Sequence, residues 1–119
     1  MNNKAEMRLR GMLGFAMRAG KVAFGTDLIC TAMSSHSKDR PRLVLIAQDA
    51  SDGTKKKLLH KAEFYGIQAF IINIDSSELG RLLGKLYAPA SVAIIDDRFA
   101  EEIGRAINEL GADRSKSES

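Results

Sequence analysis

Strand-like and helix-like segments alternate along the whole chain, and this alternation restricts the folds open to it. Residues 43–47 (LVLIA) and 69–74 (AFIINI) are continuous apolar runs, a pattern typical of strands covered on both sheet faces. Shorter strands are predicted at residues 22–24 and 91–95, and the segments between carry apolar residues at helical spacing. This order predicts an α/β fold, a three-layer α-β-α sandwich of helices around a small sheet.

Polar residues and glycines mark where the five predicted helices begin and end. Small polar side chains at helix starts accept hydrogen bonds from the first free amide groups. The residues expected to cap helices in this way are Thr26 or Asp27, Ser76 or Ser77, and Asp97. Glycines that would end helices are Gly20, Gly66 and Gly84.

A chain of 119 residues has the length of one domain, which we assign to residues 1–110. The polar residues 111–119 are predicted to form a disordered tail. Cys30, the single cysteine, stands among apolar helical residues, so we expect a small buried side chain. No apolar stretch approaches the about 18 residues of a membrane span. We therefore expect a cytoplasmic protein with no membrane partner.

Positive charge is concentrated in the first half of the chain. Residues 1–66 carry 12 Lys or Arg and 6 Asp or Glu, whereas residues 67–119 carry 6 and 9. This segregation favours a domain that presents one basic surface to a polyanion.

Catalytic and cofactor motifs find little support in this sequence. His36 and His60 have no acid or cysteine at a spacing that would build a metal site or a nucleophile pair. Asp97 is better placed to cap a helix than to act as a catalytic acid. Residues 80–85 (GRLLGK) are one residue too short for a phosphate-binding loop and lack its Ser or Thr. We predict a protein that is not an enzyme and has no cofactor or metal.

The stretch AMRAGKVAFGTD, residues 16–27, is the sharpest candidate site. Gly25 opens a helix, and a helix start offers unpaired amide groups and a positive dipole end to an anion. Arg18 and Lys21 come shortly before it, which points to a phosphate as that anion. Residues 55–57, three successive lysines, begin another helix.

The loop at residues 86–90 carries more apolar surface than an exposed connection needs. Leu86, Tyr87, Ala88 and Pro89 would either close the end of the sheet or cover an unstacked base, as RNA-binding proteins commonly do. The residues alone leave both alternatives open.

Four segments taken together suggest a family. AMRAGKVAFG, LVLIAQDASDGTKKKLLHKAEFYGI, ELGRLLGK and ASVAIID, in this order, resemble the YlxQ-like bacterial branch of the kink-turn-binding ribosomal protein superfamily. The resemblance covers residues 7 to about 107. It implies a four-stranded mixed sheet and a non-enzymatic protein that binds structured RNA. The expected target is a kink-turn, a sharply bent duplex flanked by an internal loop.

The family pattern also suggests which residues would contact RNA. Gly25 and Thr26 match it, whereas Asp27, Leu28 and Thr31 stand where the family has Asn, Glu and Lys. Asp49 matches an acidic residue after the second strand, and the loop at 86–90 matches one that packs over a flipped-out nucleotide. The resemblance thus implies this set of RNA-binding residues: Arg18, Lys21, Gly25, Thr26, Asp27, Asp49, Leu86, Tyr87, Ala88 and Pro89.

The expected partner is structured, kink-turn-like RNA, either ribosomal or messenger, bound by a monomer. A second hypothesis is a protein-interaction module that has lost specific kink-turn recognition, since Leu28 places an apolar group where the family reads RNA. A third, a small flavodoxin-like ligand binder or enzyme, rests on fold analogy alone.

Overall fold

Five helices and four strands alternate in the computed structural model, which describes residues 3–35 and 38–110. The predicted tail, residues 111–119, and His36 lie outside the described residues. The elements are α1 (Asn3–Arg18), β1 (Val22–Phe24), α2 (Thr26–Met33), β2 (Leu43–Ala47), α3 (Asp52–Tyr65), β3 (Gln68–Ile72), α4 (Ser76–Leu82), β4 (Ser91–Ile94) and α5 (Asp97–Leu110).

The four strands form one mixed sheet in the order β1-β4-β2-β3. Strands β2 and β3 are parallel, because α3 carries the chain back between them. Strand β4 is antiparallel to both of its neighbours, pairing Val92 with Phe24 of β1 and with Leu45 of β2. The mixed four-stranded sheet agrees with the family resemblance.

Helices cover both faces of the sheet, which confirms the three-layer sandwich. All five residues of β2 are buried. Leu43 and Leu45 pack in the cluster that holds α1, α4 and α5, and Val44 and Ile46 pack in the cluster that holds α2 and α3. Successive residues point to opposite faces, so a strand covered on both sides must be apolar throughout. Cys30 lies in the second cluster and is buried as predicted.

The helix caps differ from the predicted ones at all three helix starts for which a cap was predicted, those of α2, α4 and α5. For α3 no capping residue was predicted, and Ser51 accepts a hydrogen bond from Thr54 N and caps this helix. Helix α4 is capped by Asp75 rather than by either predicted serine. For α5, the side chain of Asp96, not Asp97, accepts from Phe99 N at 3.0 Å. In both corrected helices an acidic residue one or two positions earlier accepts from the amide three residues on, as a cap does.

Helix α2 differs from α3, α4 and α5 in having no side-chain cap. Gly25 occupies its cap position. The predictions that Thr26 or Asp27 would do so are wrong. Both residues already lie inside the helix, where a side chain cannot accept from the second or third amide.

Two strands are shorter than predicted. Strand β3 ends at Ile72, although the apolar run continues to Ile74. Ile74 is buried, and its carbonyl oxygen accepts from Gln48 N at 3.1 Å. Strand β4 likewise ends at Ile94 rather than at residue 95. The apolar residues at the ends of these two segments indicate burial, and burial continues beyond the hydrogen-bonded part of the strand.

Candidate nucleic-acid interface

One end of the sheet brings together the start of α2 and the loop at residues 86–90. Strand β1 ends opposite the beginning of β4, with Phe24 facing Val92. Two residues after Phe24 and one residue before Val92, Thr26 Oγ1 and Ser91 Oγ lie 3.3 Å apart. Two segments about 60 residues apart in sequence are thereby joined. We call this region, comprising residues 24–27 and 85–91, the loop end.

The start of α2 has an open backbone. Gly25 has φ 95° and ψ 126°, a conformation that a side chain would strain. A β-carbon there would meet nothing within 4 Å. Because no side chain caps this helix, its first amide groups and its positive dipole end are offered outward.

The loop divides into an exposed part and a buried part. Leu86 is fully exposed and Tyr87 is 56% exposed, whereas Pro89 is buried. The two alternatives that the sequence left open therefore apply to different residues. Pro89 closes the end of the sheet, and Leu86 and Tyr87 remain available to a partner.

Two contacts from residues outside the predicted set hold this loop. The Tyr87 ring meets the Phe24 ring edge to face, with centroids 6.5 Å apart. A β-carbon on Gly80 of α4 would lie 2.3 Å from the Tyr87 carbonyl oxygen and 3.3 Å from Pro89 Cδ. The loop backbone therefore rests directly on α4, and only a glycine at position 80 permits this approach.

Two lysines, Lys85 of the loop and Lys57 of α3, supply positive charge to the loop end. Lys85 Nζ lies 4.7 Å above the Phe24 ring, and Lys57 Nζ lies 3.2 Å from an oxygen of Asp27. The Asp27 pair is exposed, so it contributes little to stability. Lys57 belongs to the predicted lysine run. Sequence reasoning missed Lys85 and Phe24, although each directly precedes a predicted segment.

Asp49 holds the start of α4. Its two carboxylate oxygens accept hydrogen bonds from Ser76 N at 2.8 Å and Ser76 Oγ at 3.0 Å. The backbone hydrogen bond is the main cause that lowers the pKa of Asp49, and the charge of Lys55 acts in the same direction. Asp49 thus joins the end of β2 to the start of α4. Strand β2 is the neighbour of β4 in the sheet.

Arg18 and Lys21 lie at the other end of β1. Val22 pairs with Ile94, and Ile95 N donates to the Lys21 carbonyl oxygen at 2.9 Å. The three residues of β1 separate Lys21 from Gly25, which makes four steps of extended chain and a distance of about 13 Å. Strand β1 therefore carries the chain away from the two cations before α2 begins. Their part in binding RNA stays a prediction.

The other residues that the sequence singled out for comparison with the family or for catalysis are exposed or lie outside the described residues. Leu28 is 59% exposed, and Thr31 and His60 are exposed as well. Within the described residues no group of three or more His, Cys, Asp or Glu side chains could hold a metal ion. In that same part of the chain no helix is long and apolar enough to cross a membrane.

Residues 7–104 match the Ribosomal protein L7Ae/L30e/S12e/Gadd45 family. The chain belongs to this family. Two relatives from bacteria, each named RNA-binding protein YlxQ, make it a YlxQ-like member. The Enterococcus faecium protein is 31% identical over 103 residues, covering 86% of this chain and 93% of its own. The Bacillus subtilis (strain 168) protein is 36% identical over 92 residues, covering 77% and 87%.

Solved structures share the fold. A Bacillus halodurans protein described as having unknown function is similar with a TM-score of 0.77 and 28% identity, covering 85% of this chain and 97% of its own. The 15.5kD RNA binding protein of Giardia lamblia is similar with a TM-score of 0.71, covering 93% and 91%. At 16% identity this second likeness concerns the fold alone. The predicted family and fold class are both confirmed.

Proposed function

We propose that this protein binds structured RNA without catalysing a reaction, and that the loop end is its kink-turn-recognising surface. The observation that carries the proposal is the uncapped start of α2 beside the exposed Leu86 and Tyr87. Amide donors and an exposed apolar loop suit a bent RNA with one base out of the stack. Both bacterial relatives are named RNA-binding proteins.

Each part of the loop end has a role in this proposal. The amides opened by Gly25 and followed by Thr26 donate to the kinked strand, and the Asp27 carboxylate accepts from a guanine amino group. Leu86 and Tyr87 cover the extruded base, with Ala88 and Pro89 completing the loop. Lys85 and Lys57 neutralise nearby phosphates. Backbone groups therefore position the RNA, and few side chains specify it.

The proposal extends to the cellular setting. We place the protein in the cytoplasm as a monomer that binds ribosomal or messenger RNA. The assignment as a non-enzyme follows the names of its relatives, which describe binding.

Titration of two RNAs of equal length tests the proposal. One contains a kink-turn and the other is an uninterrupted duplex, and each is measured at several salt concentrations. We expect tighter binding of the kink-turn at every salt concentration, because shape recognition persists where phosphate contacts weaken. Equal affinities governed wholly by salt would leave only a generic basic surface.

A variant pair locates the interface. Leu86→Ser with Tyr87→Ala should weaken kink-turn binding by about tenfold or more, since stacking on one base contributes about 1–3 kcal/mol. Phe64→Ser is the matched control, because Phe64 is 80% exposed on α3 and lies outside the loop end. Equal losses from the two variants would contradict this location.

The exposure of Leu28 favours a second candidate function, a protein-interaction module. Leu28→Glu separates the two, because it introduces the residue type that the family pattern uses to read RNA. Under the RNA proposal this change preserves or raises kink-turn affinity. Under the second candidate it abolishes capture of a protein partner that survives nuclease treatment of the lysate.

A further inference from the structure

We propose that the turn between α1 and β1, with Phe15, Arg18 and Lys21, is a second RNA contact. It would take an unpaired strand that leaves the RNA bound at the loop end. This inference rests on the proposed function, and it gives a role to the two cations that the structure separates from Gly25. We call these residues, 15–21, the basic turn.

The basic turn is held firmly by its own backbone. Ala19 N donates to the Phe15 carbonyl at 2.9 Å, and Lys21 N donates to the Ala16 carbonyl at 2.9 Å. Ile95 N donates in turn to the Lys21 carbonyl and ties the turn to the sheet. All of residues 18–21 are exposed. The side chains therefore project from a fixed support, which lowers the entropy lost on binding.

An aromatic ring and a guanidinium group form a platform on this surface. The Arg18 guanidinium carbon lies 5.0 Å from the centroid of the Phe15 ring, and Phe15 as a residue is 55% exposed. A β-carbon at Gly14 would come within 3.8 Å of Arg18 Nη1, and one at Gly11 would meet nothing within 4 Å. These two glycines therefore leave the surface of α1 beside the Phe15 ring open, without bulky side chains. Unpaired bases stack on aromatic rings and on guanidinium planes of this kind.

In the part of the chain that the structure describes, the two cations have no carboxylate partner of their own. Within the described residues, neither Arg18 nor Lys21 takes part in an ion pair. Four other arginines do form such pairs: Arg8, Arg10, Arg42 and Arg105. Unpaired positive charge around an exposed ring is complementary to a polyanion.

The acidic residues next to this turn along β4 are already engaged. Asp96 accepts from Phe99 N as the cap of α5, and Asp97 lies 3.0 Å from Arg42 Nε. Their negative charges offset part of the positive charge of the basic turn, but neither carboxylate covers Arg18 or Lys21. The cations remain free to meet phosphates.

Position favours RNA over a separate protein as the occupant. The basic turn lies about 13 Å along β1 from Gly25, which is about four nucleotide steps at about 3.4 Å each. A strand held at the loop end reaches that far without a second molecule. Because one strand links the two contacts, binding at the loop end also raises the effective concentration of RNA at the basic turn.

The test compares two RNAs that contain the same kink-turn. One has blunt ends, and the other carries a single-stranded extension of about eight nucleotides, enough to span this distance. The variant combines Phe15→Ala, Arg18→Gln and Lys21→Gln. The control combines Lys4→Gln and Lys61→Gln, which remove two cations outside both surfaces.

We expect the wild type to bind the extended RNA about tenfold more tightly than the blunt one, and the variant to lose this gain. Its affinity for the blunt RNA should match that of the wild type. The salt slope for the extended RNA should fall by about 1.4, since each neutralised phosphate of a single strand contributes about 0.7. The control should retain the gain in affinity.

The outcomes separate this inference from the proposed function. Absence of kink-turn preference in the wild type would defeat the proposed function. If that preference is present, the inference is overturned when the extension adds no affinity or when the variant keeps the gain. It is also overturned when the variant loses as much affinity for the blunt RNA, or loses only a nuclease-resistant protein partner.

Crosslinking of the wild type gives a second measurement that does not depend on the variant's folding. Photoreactive uridines in the extension should crosslink to the peptide that contains residues 15–21. Crosslinks from the extension only to the loop end would overturn the inference.

Discussion

The two ends of β1 are built differently, and their glycines show the difference most clearly. At the loop end, a β-carbon on Gly80 would overlap the Tyr87 carbonyl oxygen at 2.3 Å. Beside the basic turn, a β-carbon on Gly11 of α1 would meet nothing within 4 Å. The loop end is therefore defined by close backbone packing and the basic turn by exposed charge. Substitutions should act through shape at the first and through salt-dependent attraction at the second.

Gly80→Ala should have the largest effect on stability. The new methyl group would force the loop backbone away from α4, which we expect to lower the free energy of unfolding by about 2–3 kcal/mol. Because Tyr87 moves with the loop, kink-turn affinity should fall as well. Urea unfolding and RNA titration measure the two effects. Unchanged stability would show that the loop does not rest on α4.

Gly25→Ala should be the next most disruptive change. Its φ of 95° is unfavourable for any residue with a β-carbon, and such strain costs about 1–3 kcal/mol. No steric contact adds to this cost, since the space around Gly25 is open. The loss of stability measured by thermal unfolding should therefore be smaller than for Gly80→Ala. A larger loss would reverse the comparison between the two positions.

These glycines also show what the sequence can predict. The apolar runs of β2 and β3 identified a sheet covered on both faces, because burial of a strand is recorded locally in its own residues. Gly25 was recognised as a helix opening for a similar local reason. The role of Gly80 was missed, since it depends on contact with a loop that follows α4. Residues 80–85 alone resemble a helix with a glycine stop.

The position of Arg18 and Lys21 was missed for a related reason. Proximity in sequence suggested proximity to Gly25, but an extended strand increases distance by about 3.3 Å per residue. The caps of α4 and α5 were assigned to residues inside the helix, because adjacent polar residues compete for one position. The path of β1 decides the position of the two cations, whereas the caps depend on which of several neighbouring polar residues comes just before the helix.

Gly11→Ala should have a small effect of the opposite sign. The position is an exposed helix interior with space for a methyl group, so alanine should stabilise the protein by about 0.5–1 kcal/mol. Thermal unfolding measures this gain, and Gly80→Ala provides the contrast within another helix. A loss of stability would mean that α1 is packed more closely than its open face indicates.

Asp49→Asn should give the smallest effect, and its pH dependence reports whether Asp49 is part of the scaffold. Hydrogen bonds from Ser76 lower the pKa of Asp49 in the folded protein. The carboxylate therefore contributes stability above the ordinary Asp value of about 3.9, and this contribution is lost as pH falls through the lower folded pKa. The difference in unfolding free energy between wild type and Asp49→Asn should be greatest above about pH 5 and should shrink in acid.

Urea unfolding across this pH range checks the expectation, and a difference that stays constant or grows in acid would contradict it. Titration with kink-turn RNA at neutral pH measures how the same substitution changes RNA affinity. If Asp49 acts by holding the start of α4, RNA affinity should fall no more than stability does. A disproportionate loss of affinity would instead assign Asp49 to the RNA-contacting surface, because removing a charge that touches RNA changes binding without a matching change in folding.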